Sequence, residues 1–169
     1  MGKYKNYISP QRHAVATPEK LVNNGKAVFG TFEKEFESMD LESCVKPIHR
    51  FFPQAFNRFR LTLWQACEVH LDNGVLLAAV SDMGLFGIIL HVFFDKRSQK
   101  VSSWTSILRR SQVTIAPNLL AGNTSEAQTK NSCIRFINHF DSGQCRVEGE
   151  HSDKKRTLEY AFELERVSL

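Results

Sequence analysis

The chain has 169 residues, a length that fits one globular domain. Hydrophobic residues make up 42% and charged residues 24%, so a core of ordinary size is expected, with no need for a disulfide or metal staple. The net charge of +4 is scattered rather than gathered into a basic face with interleaved aromatics, and nucleic-acid binding is therefore not expected.

The cysteines and the first residues indicate a reducing compartment. Cys44, Cys67, Cys133 and Cys145 form neither a CxxC pair nor a zinc-binding pattern. The polar start of the chain has no apolar core of the signal-peptide type, and no run approaches the ~18 apolar residues of a membrane span. We expect a cytoplasmic protein with free buried thiols, no membrane span, no cofactor and no metal site.

Residues 1–57 differ from the rest in sequence pattern. They hold four of the five prolines and no long run of alternating apolar and polar residues. Short helical turns are expected at 17–20, where Thr17 caps and Pro18 opens the turn, and at 41–44. We expect an irregular lead-in that packs on the sheet and hides its apolar side chains, which are Val28, Phe29, Phe32, Phe36, Phe51, Phe52 and Phe56.

From Arg58 the pattern alternates with period two, which predicts strands in a domain that spans 58–169. The first strand covers 58–71, with its odd positions facing the core. Asn73-Gly74 is a strong hairpin signal. If those two residues form the loop, Cys67 pairs with Val80 and Gln65 with Asp82.

The next strand runs to about Ser81 and turns at 82–84. The following strand, 85–94, reads LFGIILHVFF and is apolar on both faces. Such a strand is covered on both sides. We therefore expect the lead-in, a second barrel or a second copy of the chain to lie over its outer face.

Further strands are predicted at 101–108, 132–140, 145–150 and 156–166, with a short one at 112–115 and a surface loop at 117–130. Matching the apolar faces places Phe140 opposite Cys145 and Val147 opposite Tyr160. About seven strands joined by short turns, with no intervening helices, predict an all-β antiparallel up-and-down meander that curls into a barrel or half-barrel.

The sequence resembles a family of two-barrel lipocalin-like proteins, distantly related to carotenoid hydratase and AttH-type proteins. The resemblance lies in Arg60-x-x-x-Trp64, the Asn73-Gly74 hairpin, residues 80–84 and the apolar run 86–94 closed by Asp95. Cys67 and Leu85 stand where the family tends to carry aromatics, and family members are about twice as long. The resemblance implies a lipocalin-like fold, of which this chain corresponds to the first half, and implies no specific activity.

Five residues are predicted for a ligand site: Gln65, Asp82, Phe136 and Tyr160 on the interior face of the sheet, and Trp64 on the opposite face of the first strand, where it could gate the pocket. For two of them another interpretation weighs more, since Trp64 can simply pack and Asp82 can cap the turn at Met83-Gly84. His91 and His139 lie on neighbouring predicted strands, but no carboxylate spacing supports a metal site.

Three functions remain open from the sequence. The Phe-rich interior favours a module that binds a small apolar ligand. A structural half-barrel that docks on a partner or a second copy is the next alternative. A hydratase- or isomerase-like enzyme with Asp82 as acid or base is the third.

Overall fold

Antiparallel strands form two main sheets and a short two-stranded ribbon in the computed structural model, which describes residues 13–44, 51–154 and 156–166. The ribbon pairs β1 (Val22–Asn23) with β2 (Lys26–Ala27). The four-stranded sheet has the order β3-β4-β5-β6, with bounds Leu63–His70, Gly74–Asp82, Phe86–Asp95 and Lys100–Arg109. The five-stranded sheet has the order β11-β10-β9-β8-β7. Its bounds from β7 to β11 are Val113–Thr114, Asn123–Gln128, Ser132–His139, Gln144–Ser152 and Thr157–Glu165.

The predicted all-β antiparallel meander is confirmed, because each strand from β3 to β6 and from β7 to β11 pairs with its neighbour in sequence. Neither main sheet closes into a barrel. Of the barrel and the half-barrel, the open form therefore describes the molecule. No helix among the described residues is long and apolar enough to cross a membrane.

The two main sheets pack face to face, with β4 and β5 against β7, β8 and β9. Period-two alternation places one face of every long strand between the sheets, and that face is mainly apolar. The fully buried members include Leu76, Val80, Ile89, Ile134 and Phe136. The inward faces predicted for 58–71, 132–140, 145–150 and 156–166 are the faces that the structure buries within β3, β9, β10 and β11.

The three predicted hairpin registers are wrong by two residues each. Cys67 pairs with Ala78 rather than Val80, and Gln65 pairs with Val80 rather than Asp82. Likewise Cys145 pairs with Asn138 rather than Phe140, and Val147 pairs with Phe162 rather than Tyr160. A shift of the pairing by two residues leaves every side chain on its predicted face. Hydrophobic alternation therefore cannot distinguish the two registers.

The first of these hairpins shows what decides the register. Leu71 and Gly74 exchange backbone hydrogen bonds, so the loop is Asp72-Asn73. Gly74 does not adopt a positive φ. A Cβ there would lie 2.5 Å from Phe93 Cε2 and 2.5 Å from the Phe94 carbonyl oxygen. Glycine is therefore required at this position for close approach to β5 rather than for the turn.

Other boundaries also differ from the sequence-based expectation. The first long strand begins at Leu63 rather than 58, because Gln54–Arg60 forms a 3-10 helix. The predicted loop 117–130 contains β8, whose register against β9 is complete. The turn expected at 41–44 is a 3-10 helix, but 17–20 is not helical, because the Thr17 hydroxyl and the backbone of Lys34 hydrogen-bond to each other at 2.9 and 2.7 Å.

The lead-in is tied by polar contacts to segments that flank the five-stranded sheet. Asn118 Nδ2 donates to the Glu37 carbonyl at 2.9 Å, and Arg166 forms an ion pair with Glu35 at 2.7 Å. The expectation that the lead-in hides its phenylalanines is wrong for several of them. Phe29 is 92% exposed, and Phe51, Phe52 and Phe56 are exposed as well.

The outer faces of the two main sheets have opposite character. On the five-stranded sheet, Arg135 bridges Glu126 and Glu148, and Arg146 bridges Glu148 and Glu163. The outward positions of β4 and β5 carry no charge: they are Val75, Leu77, Ala79, Ser81, Phe86, Ile88, Leu90, Val92 and Phe94. The first face is a solvated one, whereas the second is apolar.

Candidate functional site

A groove of about 690 Å³ runs along the free edge of β3, between the lead-in and the segment that follows β7. Its lining comes from segments that are distant in sequence: Met39, Asp40, Leu41, Glu42, Arg58, Leu61, Thr62, Leu63, Trp64, Gln65, Ala66, Ile115, Ala116, Pro117, Leu119 and Phe140. Most of these side chains are apolar. The groove thus has the composition of a site for an apolar molecule.

The edge of β3 supplies one wall and also hydrogen-bonding groups. Leu71 and Gly74 form a hydrogen-bonded pair, and such pairs alternate along an antiparallel ladder. The backbone groups of Leu63 and Gln65 therefore point to β4. Those of Trp64 and Ala66 point away from it, to the side where the groove lies. These two residues can offer N–H donors and C=O acceptors to a bound molecule.

Gln65 closes the base of the groove. Its Nε2 donates to Asn138 Oδ1 on β9 at 2.7 Å, and Asn138 Nδ2 donates back to Gln65 Oε1 at 3.3 Å. Asn138 is fully buried, and the Cys145 thiol lies 3.8 Å from Asn138 Oδ1. This amide pair connects the two main sheets, so the floor of the groove is held in a defined position.

The opposite wall, residues 115–119, is held by side chains that bond to the backbone. The Ala116 N–H donates to Ser125 Oγ at 2.8 Å. Asn118 accepts from the Leu120 N–H at 3.0 Å and from Asn123 Nδ2 at 2.7 Å, while it donates to Glu37 in the lead-in. These bonds fix the wall to both the five-stranded sheet and the lead-in, so the groove keeps its width without a ligand.

The rim carries two carboxylates, Asp40 and Glu42, and one cation, Arg58. Arg58 Nε lies 3.2 Å from Glu42 Oε1, and Asp40 accepts a hydrogen bond from the Ser43 hydroxyl. Trp64 stands at the same rim and is 66% exposed. Because the one cation in the lining is already paired with Glu42, the groove does not favour an anionic ligand.

Asp82 lies outside the groove lining, in a small ion cluster. Its Oδ2 is 3.2 Å from Arg110 Nε and 3.8 Å from Arg58, and its Oδ1 accepts from the Gly84 N–H at 2.8 Å. That backbone bond is the turn cap expected from the sequence, and Gly84 has the positive φ of +84° that the turn requires. These bonds favour a structural role for Asp82 over that of an acid or base.

Phe136 and Tyr160 lie in the packed core and not in the groove lining. Of the five residues predicted for a ligand site, the structure brings Trp64 and Gln65 together in the groove and leaves Asp82, Phe136 and Tyr160 apart from it. Whether any of the five binds a ligand stays a prediction. The register explains the separation in part, because Gln65 and Asp82 are not cross-strand neighbours.

A buried polar chain lies between the sheets at His91, away from the groove. His91 Nδ1 is 2.9 Å from the Tyr160 hydroxyl, and His91 Nε2 is 3.2 Å from Ser132 Oγ, which in turn donates to the Glu150 carbonyl at 3.3 Å. His91 and Ser132 are both essentially inaccessible. The Ser-His-Tyr order looks like a proton relay, but no substrate can reach a serine buried in this way.

Burial decides the protonation states of His91 and Tyr160. Desolvation, with a smaller effect of nearby His151, lowers the pKa of His91 to about 4, and desolvation raises the pKa of Tyr160 well above its usual value. Both side chains are therefore neutral at pH 7. Two buried ring nitrogens, Trp104 Nε1 and His151 Nδ1, find no partner among the described residues.

The thiols of Cys67, Cys133 and Cys145 are poorly reactive for the same reason. Burial raises the pKa of Cys67 to about 11 and also raises the pKa values of Cys133 and Cys145. A thiol with a raised pKa is a poor nucleophile at neutral pH. Within 13–44, 51–154 and 156–166, no three His, Cys, Asp or Glu side chains come together in a way that could hold a metal ion.

The sequence analysis missed three of the four segments that form the groove. Leu41, Leu119 and Phe140 carry no local signal of a shared site, because they come from a lead-in, a loop and a turn. One available signal was the apolar run formed by Ile115, Pro117 and Leu119 in a predicted loop, because loops exposed to water are usually polar. Asn138 on the inward face of β9 was the other, because a buried amide needs a partner.

No family model, no curated protein and no solved structure matches the chain. The lipocalin-like resemblance therefore stays a prediction. Function has to be argued from the groove and from the surfaces of the sheets.

Proposed function

We propose that the protein binds a small, elongated, apolar molecule that carries one uncharged polar group. The observation that supports this most is the groove along β3, which is about 690 Å³ in volume and mainly apolar in its lining. Ligand sites in proteins typically measure ~300–1,000 Å³ and combine apolar walls with a few polar groups. Both features are met here.

The polar groups indicate what kind of head group fits. Gln65 at the base and the backbone of Trp64 and Ala66 offer uncharged donors and acceptors. Arg58 is already paired with Glu42 and lies near Asp82, so no free cation is presented to a carboxylate. A hydroxyl, ester or amide is therefore favoured over a carboxylate, since a buried unpaired charge is costly.

Trp64 supports binding in a second way. A tryptophan that is 66% exposed leaves a large apolar surface in water. Burial of such a surface stabilises by ~25 cal/mol for each Å² removed from water. A ligand that covers the indole ring therefore gains a favourable contact without any rearrangement of the strand.

Retinol tests the proposal, because it is elongated, apolar, fluorescent and ends in a hydroxyl group. Saturable enhancement of its fluorescence is expected with the wild-type protein. Ala66→Glu places a charge in the groove and should weaken retinol binding at least tenfold. Ala161→Glu is the matched control, because Ala161 is exposed on β11 and remote from the groove lining.

Competition separates the head groups. Dodecanol should displace retinol at lower concentration than dodecanoate does, because the groove offers no free cation. Circular dichroism melts of both variants establish that they are folded. Absence of saturable retinol binding, or equal binding by the wild-type and Ala66→Glu proteins, would contradict the proposal.

A further inference from the structure

The outer face of the four-stranded sheet lacks the polar cover that an antiparallel sheet usually presents to water. Its centre is formed by half-buried or buried apolar side chains on β4 and β5: Leu77, Ala79, Ile88, Leu90, Val92 and Phe94. We call these six residues, together with Val101 and Ile107 on β6, the apolar face. Val101 is 65% exposed and Ile107 is 73% exposed.

The named elements that pack on β5, other than its strand partners, approach it from the inner side of the sheet. They include β9 and the 3-10 turn Arg110–Gln112. Strand β9 lies across the sandwich interior. The turn leads into Val113, whose Cγ2 lies against the inward position Gly87. On the outer side, Val101 and Ile107 of the neighbouring strand β6 are exposed.

The same molecule provides an internal comparison. The outer face of the five-stranded sheet is covered by the ion pairs of Arg135 and Arg146. The two main sheets of this chain therefore differ in their outer faces: that of the five-stranded sheet is charged, and that of the four-stranded sheet is apolar. Contiguous apolar patches beyond a few hundred Å² on a folded protein mark interaction surfaces.

The apolar face is large enough for a stable interface. Strands of eight to ten residues that rise ~3.3 Å per residue, set ~4.8 Å apart in a sheet of four, span about 30 by 19 Å, or about 570 Å² of flat area. Projecting side chains increase the accessible surface beyond this flat value. A standard interface takes ~800 Å² of accessible surface from each partner, and the outer face of the whole four-stranded sheet, with the apolar face at its centre, approaches that size.

We infer that the apolar face is the contact surface of a homodimer, in which the four-stranded sheets of two copies pack face to face. The face carries no charge on β4 or β5, so its best complement is another uncharged sheet face. Charges occur only on its border strands, at Glu68, which is paired with His70, and at Arg109, which lies opposite Phe86 at the end of the sheet. Two such sheets pack ~10 Å apart with strands ~30° from parallel, an arrangement that pleated faces adopt readily. This inference does not depend on ligand binding in the groove.

The mass in solution tests the dimer. Sedimentation equilibrium of the full chain across a concentration series should give twice the 19.3 kDa of one chain. The double variant Val101→Glu and Ile107→Glu should give 19.3 kDa, because it introduces charges at two exposed positions of the contact. Ala161→Glu adds the same side chain to the other outer face and should leave the dimer intact.

Three results would overturn the inference. A wild-type monomer at every concentration is the first. A dimer that persists in the double variant, and also in Leu90→Glu at the centre of the face, is the second, because the contact would then lie elsewhere. A wild-type monomer that dimerises only after removal of residues 1–12 is the third, because the chain itself would then occupy the face. Circular dichroism of each variant confirms that loss of the dimer is not loss of the fold.

Discussion

The side chains of Gln65 on β3 and Asn138 on β9 form a reciprocal amide pair that joins the two main sheets, with Gln65 Nε2 2.7 Å from Asn138 Oδ1. Gln65 lies on an otherwise apolar inward face of β3, and Asn138 shares the inward face of β9 with Ser132, Ile134 and Phe136. The pair lies where the sheets part to form the groove, so it is both a tie between the sheets and the floor of the candidate site.

Removal of one member of this pair should destabilise the protein more than removal of both. Asn138→Leu leaves the Gln65 amide without its partner and should lower the free energy of unfolding by about 1–3 kcal/mol. The double variant with Gln65→Leu should lose less than the sum of the two single variants, because two apolar side chains then face each other. Urea denaturation measures all four proteins.

Gln144→Ala serves as the control for this cycle, since Gln144 is exposed on the neighbouring strand and should cost little. Strictly additive losses for Gln65→Leu and Asn138→Leu would show that the two amides do not depend on each other.

His91 makes stability depend on pH. Its pKa is about 4 in the folded protein, because of burial and the proximity of His151, against 6.5 for an ordinary histidine. Between these values the unfolded chain binds the proton that the folded protein excludes. The free energy of unfolding is therefore highest above pH 6.5, falls as the pH drops toward 4, and should lose on the order of 3 kcal/mol over that window.

The measurement is urea denaturation at a series of pH values from 7 to 4. His91→Gln should flatten the profile, since it removes the titrating ring and keeps a polar group near Tyr160. His139→Gln alters an exposed histidine and should leave the profile unchanged. An unchanged slope in His91→Gln would mean that other groups cause the pH dependence.

Gly149 leaves room for Tyr160, its cross-strand neighbour on β11. A Cβ at position 149 would lie 2.6 Å from Tyr160 Cζ and 3.1 Å from the Cys133 carbonyl oxygen. Gly149→Ala should therefore displace the tyrosine ring, break its hydrogen bond to His91, and cost about 1–3 kcal/mol through overpacking.

Thermal denaturation compares this variant with Glu150→Ala, a change at the adjacent outward position. Only Gly149→Ala should lower the melting temperature by several degrees. When Tyr160→Leu is added to Gly149→Ala, it should cost less stability than Tyr160→Leu alone, because removal of the tyrosine ring also removes its collision with the Cβ at position 149. Equal melting temperatures for Gly149→Ala and the wild-type protein would show that the Tyr160 ring can move aside without loss of stability.

Asp82 should act on stability through both its ion pair and its turn cap. Asp82→Asn keeps an oxygen for the Gly84 N–H but loses the charge opposite Arg110. Asp82→Ala loses both and leaves the Gly84 N–H without its acceptor, so it should cost about 1–3 kcal/mol more than Asp82→Asn.

Chemical denaturation ranks the two variants, with Asp72→Asn in the exposed loop as the control that should change little. Equal losses for Asp82→Asn and Asp82→Ala would assign the whole effect to the ion pair with Arg110 and none to the cap.

The faces of the strands were predictable, whereas the registers were not. Alternation along 58–71 and 156–166 places Cys67 and Tyr160 inward, and the structure buries both on that side. The pairing of Cys67 with Ala78 depends instead on the Asp72-Asn73 loop and on Gly74 against Phe93. A two-residue slip preserves every face, so only the turn and contacts with a third strand decide it.

The candidate site shows the same division. Gln65 was singled out from the sequence as an interior polar residue predicted to lie beside Asp82, and Trp64 as a large side chain that could gate a pocket. Glu37, Asn118 and Asn138 were not, because the bonds Asn118–Glu37 and Asn138–Gln65 join residues 81 and 73 positions apart in a chain that meanders across two sheets.

What the sequence by itself determined is local: most of the strands after Arg58, their inward faces, and an apolar outer face on β5. These follow from side-chain alternation, which any pleated strand converts into two faces. Only the tertiary structure decided that the sheets stay open, that a groove forms along the free edge of β3, and that several of the lead-in phenylalanines are exposed. Each of these depends on which distant surfaces meet, and alternation within a strand carries no information about that.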